Sequence, residues 1–301
     1  MKQPIKQRIC AAKSAALFEQ YRIVKASLPD SLQIEPCIAA VSCDEDLVKK
    51  LLKDIILKSL QYNGGYEMFW YDATYVILIP AIIFTFIAQG KVTSNFNKFS
   101  KVRTRRGMTG AEAARLMLDA NGLRDVDIEM VRGSLTDHYD PRTRVLRLSE
   151  SVCNVTSVAA VSVACHEAGH AVQHAEGYTP LQVRNSIVPV VNFASSLSWP
   201  VAILGIILLG NGSYIGNTLF NIGIIAMLAV IFFHTITLPV EYNASRRAKD
   251  QMEELGIVSG SEEAAGARKV LNAAAMTYVA ALAAAIANLL RILAIRGRRE
   301  N

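Results

Sequence analysis

Asn185–Val240 reads NSIVPVVNFASSLSWPVAILGIILLGNGSYIGNTLFNIGIIAMLAVIFFHTITLPV, 56 consecutive residues without an Asp, Glu, Lys or Arg. A bilayer-spanning helix needs about 20 apolar residues, so the run is too long for one crossing and long enough for two. Gly210-Asn-Gly-Ser213 divides it, which predicts a membrane hairpin that returns the chain to the face it left. Two shorter uncharged runs stand on either side: Ala73–Gly90, of 18 residues, and Val270–Leu290, of 21. Each is read as one further span. The 301-residue chain is 51% hydrophobic and 19% charged, with mean hydropathy +0.26. That excludes a disordered or fibrous protein and departs from an ordinary soluble enzyme. The expectation is a mainly α, multi-pass membrane protein with about four transmembrane helices.

Just before the hairpin stands His166-Glu167-Ala168-Gly169-His170, inside a stretch from Ser157 to Glu176 that reads as a helix ended by Gly177 and Pro180. On a helix, positions i and i+4 share a face, so two imidazoles can grip one tetrahedral metal. The glutamate between them can reach a water activated by that metal and act as general base. This pattern makes His166 and His170 zinc ligands and Glu167 the base of a hydrolase. A catalytic zinc needs a third protein ligand. A metzincin would carry Gly at 173 and His at 176, but the chain has Gln173 and Glu176. His174 drifts about 80° round the helix from His166. His234 lies deep in the apolar run, where an ionisable side chain is a functional candidate. Glu241 is the first charged residue after the hairpin. Since the hairpin brings it back to the face of the metal helix, Glu241 leads.

Between the first run and the hairpin the sequence predicts a small α+β unit. Thr109-Gly-Ala-Glu112 has capping-box spacing ahead of a helix stopped by Asn121-Gly122. Val126–Arg132 and Arg144–Leu148 read as strands, with the polar Gly133–Arg142 as a turn between them. The second strand is expected to pair with an extended substrate by strand addition. The domain reading is then residues 1–67, an amino-terminal extension; 68–90, the first transmembrane helix; 91–184, a basic linker and zincin-like domain. It continues with 185–240, the hairpin; 241–269, the segment of the third ligand; and 270–301, the last transmembrane helix and basic tail. Asn63-Gly64-Gly65-Tyr66-Glu67 stands directly before Met68, and adjacent glycine codons can encode a ribosome-binding-like sequence. Translation is therefore expected to start at Met68, and an intact native mass beginning earlier would contradict this.

Net charge is +6 and the isoelectric point about 9.1. The basic residues flank the apolar runs instead of forming a stripe on a folded domain, which argues for a membrane surface and against nucleic acid. Lys91, Lys98, Lys101, Arg103, Arg105 and Arg106 follow the first run with no acidic residue among them. The rule that basic loops stay inside places that side, and the zinc motif with it, in the cytoplasm. Four crossings then set Arg291, Arg296, Arg298 and Arg299 outside, against the same rule, unless the alanine-rich last run crosses incompletely. The five cysteines (Cys10, Cys37, Cys43, Cys153, Cys165) show no CxxC spacing and imply reduced thiols.

Three separated motifs carry a family resemblance: Asp137-His-Tyr-Asp-Pro141, His166-Glu-Ala-Gly-His-Ala-Val-Gln-His174 and Pro239-Val-Glu-Tyr-Asn-Ala-Ser-Arg-Arg-Ala248. In this order, over about Met68 to Glu300, the chain resembles the YugP-like neutral zinc metallopeptidases of bacterial membranes. These are similar to the HtpX-type gluzincins, whose third ligand is a glutamate after a membrane hairpin. The resemblance implies zinc held by His166, His170 and Glu241, with Glu167 as base. Two positions depart from the pattern. An Ala-Asp pair expected after the ligand glutamate is Ala244-Ser245, and an expected Asp at 243 is Asn. A carboxylate orienting a zinc histidine must then come from elsewhere, with Asp250 as a candidate. His138 and Tyr139 are candidates to donate to the tetrahedral oxyanion.

The functional expectation is a zinc metalloendopeptidase anchored in the cell membrane, with protein or peptide substrates, lipid neighbours and a role in membrane-protein quality control. Two competitors stand beside it: intramembrane cleavage of the site-2 type, and a non-catalytic zinc-stabilised membrane adaptor. The presence of Glu167 argues against the adaptor, since a structural zinc site has no use for a base.

Overall fold

The computed structural model describes residues 73–133, 136–209 and 214–300. The extension 1–67, the expected start at Met68, three of the cysteines and the expected 210–213 turn lie outside the described residues. A short 3-10 helix (Ala73–Ile77) leads into α1 (Ile79–Phe99). There follow α2 (Gly110–Ala120), β1 (Asp127–Val131), β2 (His138–Asp140), β3 (Val145–Ser149) and α3 (Val158–Ala175). Three long helices complete the chain: α4 (Thr179–Leu209), α5 (Tyr214–Glu254) and α6 (Gly260–Glu300).

The expected α+β unit is present. Thr109 caps α2 reciprocally: its hydroxyl accepts from Glu112 N at 3.2 Å, and the Glu112 carboxylate accepts from Thr109 N at 2.8 Å. Ser157 caps α3 by accepting from Ala160 N, and α3 gives way to Gly177, whose φ of +67° is the left-handed conformation that glycine adopts at no steric cost. The sheet has the order β1-β3-β2, with β1 parallel and β2 antiparallel to β3. This corrects one expectation. The Arg144–Leu148 strand is central, paired on both edges, and so has no free edge for a substrate. Its extra partner, β2, is three residues long and sits inside the polar segment read as a turn. Beneath the sheet, Met117, Leu118, Leu146, Leu148, Val161, Cys165, Met252 and Leu271 form one buried core. Cys153 and Cys165 are free and buried in it, and burial pushes the Cys165 thiol up to about 12.

Among the described residues, three helices are long and apolar enough to cross a membrane: Thr179–Leu209, Tyr214–Glu254 and Gly260–Arg298. Their outward side chains include Val190, Phe193, Ile215 and Ile225, a continuous apolar surface that calls for lipid instead of water. α4 and α5 pack closely through small residues: a Cβ at Gly205 would meet Phe220 N at 2.4 Å, and one at Gly223 would meet the Ala202 Cβ at 2.6 Å. α1 is not among the three. Its apolar run is divided between the 3-10 helix and the first half of α1, and Lys91 and Lys98 occupy the second half. It nevertheless runs antiparallel along α6, from Asn95 against the Lys269 carbonyl (3.4 Å) to Tyr75 under Arg291 (3.7 Å).

α5 and α6 have 41 residues each. At 1.5 Å per residue each is about 60 Å long, twice the ≈ 30 Å hydrocarbon core. Each therefore serves two layers. The start of α6 packs on the α+β unit through Ala264, Ala267 and Leu271, while Ile292 packs with Ala202, Ile206 and Phe220 of the helical pair. The run Val270–Leu290 straddles both layers, and Arg291 lies within the helices, stacked on Tyr75 and 5.0 Å from the Trp199 ring. α5 likewise continues as one helix through Glu241 to Glu254 and docks on α3.

That docking depends on Gly169, where a Cβ would meet the Ala244 carbonyl oxygen at 2.9 Å. Gly169→Ala forces the helices apart and is expected to cost about 1–3 kcal/mol. Thermal unfolding in detergent should show a lowered midpoint, and an unchanged midpoint contradicts the close packing.

Candidate metal centre

One turn of α3 presents His166 and His170 side by side, their ring centroids 4.9 Å apart and nearly perpendicular. α5 supplies the third group. Glu241 Oε2 lies 3.3 Å from His166 Nε2 and 3.6 Å from His170 Nε2. The three ligand atoms all fall within 4.8 Å of one another. Donors bound 2.0–2.1 Å from one tetrahedral ion stand about 3.4 Å apart, so this spacing fits a single metal. Both imidazoles are slightly exposed, at 13% and 12%, whereas the Glu241 side chain is 2% exposed. The centre thus has a buried carboxylate floor and an open imidazole side.

The other nitrogen of each ring is held. His166 Nδ1 lies 3.2 Å from Ser245 Oγ, and His170 Nδ1 lies 2.9 Å from Gln173 Oε1. A chain of fixed donors sets the second of these. Arg247 Nε, which can only donate, gives its proton to Asn243 Oδ1 at 2.8 Å. Gln173 Nε2 donates to that same oxygen at 2.9 Å and to Val240 O at 2.8 Å. The amide oxygen of Gln173 therefore faces His170 and accepts from Nδ1–H, leaving the Nε2 lone pair turned to Glu241. Arg247 is anchored in turn by both carboxylate oxygens of Glu176. The expected histidine-orienting carboxylate is thus replaced: Gln173 and Ser245 act in its stead. Asp250 does not, since it pairs with Arg246 on the exposed side of α5 at 3.6 Å.

Glu167 is half-buried next to the cluster. Burial raises its carboxyl above the usual range, and Glu241 and Asp137 add to this, while His166 and His170 pull it down. Burial lowers His170, but its hydrogen bond to Glu241 and that residue's charge prevail, so its pKa is raised. Asp137 accepts from Ser149 N at 2.7 Å and Ser149 Oγ at 3.0 Å, tying β2 to the end of β3.

The remaining sequence candidates are placed elsewhere. His174 Nδ1 meets the Tyr139 hydroxyl at 2.9 Å. His138 is exposed and its Nδ1 contacts the Thr136 carbonyl. His234 lies against Phe233 on α5. Two residues that the sequence reading passed over do reach the cluster. Arg184, near the start of α4, places Nη2 3.8 Å from Glu241 Oε1, and Tyr278 on α6 lies close to Glu241. The one available signal was that Arg184 is the last charge before the 56-residue run and Glu241 the first after it.

Residues 74–297 match the family described as "Putative neutral zinc metallopeptidase". The chain belongs to this family. It is also 52% identical over 227 residues to "Putative membrane protease YugP" of Bacillus subtilis (strain 168), an alignment covering 75% of this chain and 98% of that protein. No solved structure matches. The resemblance read from the three motifs is the chain's family, and zinc is the family's metal. Two imidazoles and a carboxylate are a donor set that suits it.

For a zinc metallopeptidase of this build, loosening an orienting group should be felt at the metal. Gln173→Leu is expected to weaken zinc binding about 10–100-fold, read by competition with a chromogenic chelator. Unaltered affinity contradicts the orienting role of Gln173.

Proposed function

We propose that the chain is a membrane-anchored zinc endopeptidase. His166, His170 and Glu241 hold the zinc, and Glu167 is the general base. The observation that carries this reading is the convergence of the three side chains on one ion-sized gap with Glu167 beside it. Zinc there supplies Lewis acidity toward a water molecule and the scissile carbonyl. Glu167, its carboxyl raised by burial, takes the proton of the attacking water and passes it to the leaving amine. Glu241 and the two imidazoles stay in place throughout. β2, with one edge unpaired among the described residues and Tyr139 reaching α3, offers a strand along which an extended peptide lies.

The centre stands at the seam between the α+β unit and the apolar helices, which favours peptide bonds close to the bilayer surface. Exposed segments of misassembled membrane proteins have this character, and quality control is the role it fits. α3 packs against α2, and it lies in one core with β3 and α5, which supports cleavage outside the bilayer over the site-2 type. We read α1, α4, α5 and α6 as four crossings of the cell membrane. The basic stretch Lys91–Arg106 sets the zinc centre on the cytoplasmic side.

Metal analysis of detergent-purified protein tests the assignment. About one zinc per chain is expected in wild type and in Glu167→Gln, and far less in Glu241→Ala. Glu167→Gln should lose about 10²–10⁴-fold in cleavage of reduced casein. Equal zinc in Glu241→Ala, or undiminished cleavage by Glu167→Gln, overturns the reading.

A further inference from the structure

Glu241 has two oxygens with different duties. Oε2 faces the imidazoles, while Oε1 faces Arg184 at 3.8 Å. Arg184 has five N–H donors in a rigid fork. Its approach to Glu241 is longer than a hydrogen bond, and its Nε is buried with no partner among the described residues. The side chain is 28% exposed, so part of it is open to a ligand. Here is a permanent cation beside a buried carboxylate, with a donor unspent.

We propose that Arg184 is a catalytic residue of this peptidase, donating a hydrogen bond to the carbonyl oxygen of the scissile peptide and stabilising the negative charge that develops on it. The inference rests on the zinc endopeptidase reading above. When water adds, a C–O bond forms and the carbonyl π pair moves to that oxygen, which the guanidinium then faces as an anion. Arg184 keeps all its protons, because it is not deprotonated in proteins. On collapse the pair returns, the C–N bond breaks, and the amine takes the proton held by Glu167. His138 and Tyr139, the other donors considered for this oxygen, are engaged with Thr136 and His174. The competing role, holding Glu241 in a ligating pose, would call for a short or forked contact, which a single approach at 3.8 Å is not.

The experiment compares wild type, Arg184→Gln and Arg184→Lys as full chains in detergent. It reads zinc per chain, binding of a phosphinic peptide that mimics the tetrahedral anion, and kcat and KM on a quenched casein peptide. Arg184→Gln should retain about one zinc, bind the phosphinic probe about 10²-fold more weakly and lose about 10²–10³ in kcat with KM nearly unchanged. Arg184→Lys should recover part of both losses. Loss of zinc from Arg184→Gln makes the residue a holder of Glu241 and overturns the proposal. Unchanged probe affinity overturns it as well. If zinc-loaded wild type cleaves no better than Glu167→Gln, the endopeptidase reading fails instead, and probe binding still decides the fate of Arg184.

Discussion

A carboxylate buried to 2% exposure is the constraint around which this molecule is arranged. An ion taken out of water costs several kcal/mol unless charges and hydrogen bonds return it. Glu241 finds two imidazoles on one side, a guanidinium and a phenol on the other. They come from three helices, so the carboxylate ties α3, α4 and α6 to α5. Zinc held by these residues would strengthen the same knot by adding two positive charges. The close approach at Gly169 follows from this: the helix bearing the histidines must lie almost backbone to backbone against α5 at Ala244.

This arrangement places the chemistry at a boundary. α5 and α6 are single helices that pass from the apolar layer into the α+β unit, so the candidate metal centre is rigidly related to the apolar helices. Arg184 and Glu241 are the charges that bracket the 56-residue uncharged run, and they meet in space because the packed helices α4 and α5 bring the ends of the run together.

Much of this was legible in the sequence. His166, Glu167 and His170 declare themselves because helical spacing alone puts two imidazoles on one face. Glu241 follows from hairpin topology, and the Thr109 and Ser157 caps from local hydrogen-bond chemistry. What escaped depends on contacts between distant segments. Gln173 carries no signature of an orienting group until Val240, Asn243 and Arg247 are brought against it. Ser245 looked like a loss where an aspartate was expected, yet its hydroxyl reaches His166. Tyr278 was hidden in an apolar run that hydropathy reads as uniform, and that run proved to serve two layers. β2 was missed because three residues beside an Asp-Pro turn show no alternation to read, and its absence left β3 wrongly at an edge.

The central claim is that two imidazoles and one carboxylate, drawn from α3 and α5, form the metal's protein ligands. X-ray absorption at the zinc edge of the purified chain tests it most directly. The account predicts nitrogen and oxygen scatterers at about 2.0–2.1 Å, with multiple scattering from two imidazoles, no sulfur, and a changed shell in Glu241→Gln. Three imidazoles, a sulfur shell at about 2.3 Å, or a spectrum indifferent to Glu241 would contradict it.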